Sequence, residues 1–64
     1  MPLKIPNIDR VGLVQDISRV LAERGLNIVS MEVELNTTYI ETDPPPPEAQ
    51  ESILQALKKI PQVL

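Results

Sequence analysis

From Leu3 to Ile8 apolar residues alternate with others, the two-residue period of a strand with one buried face. Pro6 has no N–H to give a ladder, which places it where the strand ends or where its neighbour has diverged. Asp9 then stands where a carboxylate can accept from the free N–H groups of a helix's first turn. Leu13, Ile17, Val20 and Leu21, reinforced by Val14, recur at helical spacing, with Gln15, Asp16, Arg19 and Glu23 mostly opposite. Arg24-Gly25 closes this helix with a cation near its negative end and a residue that tolerates a left-handed cap.

At Asn27 the period changes to two. Val29, Met31, Val33 and Leu35 are expected on the buried face, and Ile28, Ser30, Glu32 and Glu34 on the open one. Asn36-Thr37 reads as a turn, and Thr38–Thr42 as a second, antiparallel strand. With Ile40 toward the helices, Tyr39 faces the open side of the sheet or a partner. Asp43 precedes Pro44–Pro47, a stiff extended connector whose last proline suits the first turn of a helix. Such a run can also be a ligand for a proline-recognition domain. The connector reading is preferred because helix-starting residues follow directly. A second helix is expected over 48–59, with Ala49, Ile53, Ala56, Leu57 and Ile60 as its apolar stripe and Leu54 beside it. Pro61 stops it, and Gln62-Val63-Leu64 begins a strand.

The order strand, helix, strand, strand, helix, strand is that of an α+β, ferredoxin-like βαββαβ sandwich. It predicts one domain over 1–64, an antiparallel sheet with two helices on one face, and a last strand cut short at Leu64. Without that strand, Leu3 and Ile5 are expected to lack a hydrogen-bonded neighbour and to leave an open edge.

Composition narrows the chemistry. The 64 residues carry a net charge of −3 and contain no Cys, His, Trp or Phe. Zinc fingers, haem ligation, redox pairs and disulfide scaffolds are excluded, as are Ser–His and Cys–His nucleophiles. The chain is not expected to be an enzyme by itself, nor to carry a cofactor. Its acidic balance and single aromatic, Tyr39, argue against direct contact with nucleic acid. Glu32, Glu34 and Glu41 can be read as a metal-binding cluster, or more simply as the solvated side of a sheet with Lys4 across the first strand. No apolar run approaches the roughly 20 residues that span a bilayer. Charges throughout the first twenty residues leave no signal-peptide core, so a cytoplasmic protein is expected.

Asn7-x-Asp9-Arg10-x-Gly12-Leu13, a helix, and then Gly25-x-Asn27-Ile28 resemble the core signature of the ACT domain, and Ile60-Pro61 is similar to sequences common there. The resemblance covers nearly the whole chain. It implies a non-enzymatic sensor module that binds an amino acid or related metabolite, typically as a homodimer, and regulates the protein that carries it. It assigns ligand binding to Asn7, Ile8, Asp9, Arg10, Val11, Gly12 and Leu13, with Asn27 and Ile28 reaching the ligand from the neighbouring subunit. Independently of the family, a loop ending at a helix N-terminus suits a carboxylate, and Gly12 permits close approach. Asp9 could accept from an ammonium group. Equally, Asp9 can be only a helix cap and Asn27 only the residue that leads the chain out of Gly25.

A first strand so close to Met1 is most like the N-terminal ACT module of bacterial sigma-54-type transcription regulators responsive to aromatic amino acids. The alternatives are the allosteric segment of an amino-acid-metabolising enzyme and a dimerisation module without a ligand.

Overall fold

The computed structural model describes residues 1–64. Strand β1 spans Pro2–Pro6, helix α1 Leu13–Glu23, β2 Ile28–Val33 and β3 Thr37–Thr42; a 3-10 turn at Pro47–Ala49 leads into α2, Gln50–Lys58. The strands form one antiparallel sheet in the order β1-β3-β2. Leu3, Ile5 and Ile40 from the sheet meet Leu13, Ile17 and Leu21 of α1 and Ile53, Leu57 and Ile60 of the second helical segment in one buried cluster. Both helices therefore cover one face, as the two apolar stripes require. The expected Pro47 start is observed, with Pro45 buried ahead of it.

Three strands form, and a fourth only begins. Val63 makes an isolated antiparallel bridge with Asn7, flanked by Ile8 N–H to Gln62 O at 2.8 Å and Leu64 N–H to Pro6 O at 2.9 Å. No helix is long and apolar enough to cross a membrane.

Four local expectations are corrected. The helix α1 is not capped by Asp9: its N-cap is Gly12, at φ 84°, and no side chain caps it. The loop enters the helix through a left-handed residue, which favours glycine and delays the first turn past the reach expected of Asp9.

On β2 the expected alternation fails at its start. Ile28 pairs with buried Thr42, whereas Ser30 pairs with exposed Glu41, so Val29 is an extra residue in a β-bulge. The bulge turns Ile28 toward the core and leaves Val29 62% exposed. Beyond it Met31 packs against the core, but Val33, at the end of this edge strand, and Leu35, in the turn after it, remain exposed. The turn is also displaced: Thr37 already belongs to β3 and pairs with Pro6.

The open edge is not that of Leu3 and Ile5. Asn7 N–H bonds Asn36 O and Thr42 N–H bonds Met1 O, so by antiparallel alternation odd residues of β1 bond β3. Pro2, Lys4 and Pro6 point outward, and two of these three lack an N–H, the position in which a strand tolerates proline. On the opposite edge, Glu34 N–H bonds Thr37 O, so even residues of β2 face β3 while Met31 and Val33 direct their N–H and C=O groups outward.

Candidate functional site

The loop between β1 and α1 leaves the sheet beside the β2–β3 hairpin, to which Asn7 N–H is bonded through Asn36 O. Leu13 N–H reaches Arg10 O at 3.3 Å and Asp16 N–H reaches Gly12 O at 2.9 Å; the amides of Val11, Gly12, Val14 and Gln15 have no backbone acceptor. These groups lie at the positive end of the α1 dipole, where an anionic group is favoured. Asp9 is exposed and belongs to none of the three ion pairs. The β1–α1 connection therefore carries both a carboxylate outside any ion pair and amides without a backbone acceptor, groups that complement the two charges of a zwitterion.

Three of the other loop residues serve the fold. Asn7 is buried, and its Oδ1 accepts the Thr38 hydroxyl hydrogen at 3.1 Å. Leu13 is core. Arg10 is engaged internally: Nη2 lies 2.7 Å from Asp16 Oδ2, Nε donates to Pro61 O at 3.1 Å and Nη1 to Val11 O at 3.2 Å. Ile8 and Val11 present exposed apolar side chains. Thr38, Asp16 and Pro61 were not legible as partners of this loop, since each reaches it through tertiary contact. The Arg10–Asp16 spacing of six residues, across a loop and one helical turn, carried no recognisable pattern.

Asn27 and Ile28 do not join this loop within one chain. Asn27 O accepts from Asp43 N–H at the far end of the sheet, whereas Asn7 meets Asn36 at the hairpin end. Between them runs the length of β2, roughly 20 Å for six extended residues. No concavity of the protomer is lined by residues 7–13 or by Asn27. On the open face, a shallow depression of about 310 Å³ is lined by Pro2, Ser30, Glu32, Tyr39 and Glu41, and no three acidic side chains are grouped to hold a metal ion.

No curated protein sequence matches the chain. A family model described as ACT domain does, over residues 7–62, a span that takes in the loop, both helices, the β2–β3 hairpin and the terminal turn. The chain belongs to the ACT domain family.

Proposed function

We propose that this ACT domain is a homodimeric sensing module for an amino acid or a related small metabolite, regulating the protein that carries it. One observation carries the reading. The two halves of the motif lie at opposite ends of the sheet, while the β2 edge between them has free N–H and C=O groups at Met31 and Val33. Antiparallel pairing of β2 with the same strand of a second copy reverses one sheet relative to the other. Asn27 of the partner subunit then comes to the hairpin end, where the loop is. The ligand carboxylate sits on the unpaired amides at the α1 N-terminus, and Asp9 receives its ammonium group.

The parent is proposed to be a cytoplasmic bacterial transcription regulator, on the likeness of the Asp9-Arg10-Val11-Gly12-Leu13 loop. The domain itself performs no catalysis in this reading. A dimerisation module without ligand is favoured by a different observation: Asn7 and Arg10 are already satisfied within the protomer.

Isothermal calorimetry with each amino acid, beside sedimentation analysis, separates the two. Heat with one amino acid, lost in Asp9→Ala and Asn27→Ala, supports sensing. A dimer that gives no heat with any of them leaves dimerisation alone.

A further inference from the structure

Arg10 ties its own loop and the first turn of α1 to a segment 51 residues away in sequence. Its Nη1 closes back on Val11 O in the loop, its Nη2 pairs with Asp16 in the first turn of α1, and its Nε reaches Pro61 O after α2. Asp16 is also within 3.5 Å of Arg19 Nη1, so its carboxylate is held between two guanidinium groups. Beside this, Ile8 N–H bonds Gln62 O at 2.8 Å and Leu64 N–H bonds Pro6 O at 2.9 Å. Gln62 has a φ of 76°, the only non-glycine residue with positive φ. A side-chain-bearing residue persists in that region only where its surroundings over-determine it. Here the bonds on either side of Gln62 do so.

We infer that Arg10, positioned by Asp16, is a strap coupling the Asp9–Gly12 loop to the Pro61–Gln62 turn, so that displacement of the loop reaches the segment that begins the fourth strand. A planar fork with donors in three directions is needed, which arginine supplies and lysine does not. The loop side of the strap is the stretch that offers the unpaired Val11 and Gly12 amides. A Cβ at Gly12 would have Arg10 Nη1 as its nearest neighbour, at 3.8 Å. Movement of Val11 therefore acts on the guanidinium through the Nη1–Val11 O bond. The other side is the turn through which the chain reaches Leu64. Asp16 touches no proposed ligand group and acts through Arg10, as a positioning residue. The coupling rests on the proposed sensing role only for what displaces the loop in nature; the strap itself exists without a ligand.

Amide exchange by NMR on the 64-residue protein tests it without any ligand. In Arg10→Ala, in Arg10→Lys and in Asp16→Asn, the Ile8 and Leu64 amides should exchange roughly tenfold faster, while those of Ile17, Leu21 and Asn7 keep their rates. Gly12→Ala, strained at φ 84° in either background, should accelerate Leu64 more in the wild-type background than in Arg10→Ala. Unaltered Ile8 and Leu64 rates, or a Gly12→Ala effect equal in both backgrounds, would overturn the inference. The unsubstituted protein supplies a further check should a variant lose protection throughout: the Arg10 Nε–H should exchange slowly, and one exchanging at the rate of a free guanidinium removes the strap. Calorimetry can find no ligand while these results hold, so the two readings fail separately.

Discussion

Thr38 donates its hydroxyl hydrogen bond to Asn7 Oδ1 at 3.1 Å, with both residues buried. Thr38 pairs across the sheet with Ile5, so Asn7 is its diagonal neighbour on the core face. The bond fixes the last residue before the loop from inside the molecule. Thr38→Val keeps the shape and strands the Asn7 carbonyl, which should cost about 1–3 kcal/mol in urea unfolding. Asn7→Ala should cost a similar amount, and the double variant less than the sum, since both remove one interaction.

Gly25 follows the α1 C-cap at φ 75°, and a Cβ there would meet no atom within 4 Å. The penalty for a side chain is therefore purely conformational. Gly25→Ala should lose about 1–2 kcal/mol and Gly25→Asn less, because asparagine enters the left-handed region more readily. Thermal melts should rank the three proteins in the order Gly, Asn, Ala.

The β2 edge offers a direct test of the proposed dimer. Val33 is 51% exposed in the protomer, so Val33→Lys disturbs little of the fold, and a change within about 0.5 kcal/mol is expected. Lysine on an edge strand opposes pairing with another chain. Sedimentation should show the variant as a monomer at concentrations where the parent protein is dimeric.

Ile17 is fully buried between the sheet and α2. Ile17→Ala should cost about 2–5 kcal/mol. A chain of this length has only about 3–10 kcal/mol in total. Circular dichroism should therefore show a large loss of cooperative folding at 25 °C. Leu54→Ala, on the exposed side of the same helix as Leu57, should melt close to the parent.

Helix periodicity was readable because each stripe is buried against one surface: Leu13, Ile17 and Leu21, then Ile53, Leu57 and Ile60, all reach the core. Strand identity was readable for β3, whose inner residues Thr38, Ile40 and Thr42 are all buried. The faces of β2 were not, because a single extra residue at Val29 inverts every assignment before it, and no residue type announces a bulge. The Asp9 cap failed on backbone conformation: a left-handed Gly12 can be suspected from sequence, but the helix start it imposes cannot. The motif's loop was found, yet the roles of Asn7 and Arg10 depended on Thr38, Asp16 and Pro61, which only the folded chain brings near.

The prolines of β1 bear on how large an assembly copies of this chain can build. In a pair joined through β2, β1 lies on the side of each sheet away from the seam, and over Pro2–Pro6 its outward donors are reduced to the Lys4 N–H. Two such edges facing each other would set Lys4 against Lys4 and form few reciprocal bonds. Docking β1 antiparallel onto the β2 edge of another copy would set Lys4, on the open face, beside Met31, on the helix face, and so invert one layer of helices. Both antiparallel routes are disfavoured. In the proposed assembly the prolines therefore make β1 a poor edge for antiparallel addition of a further copy.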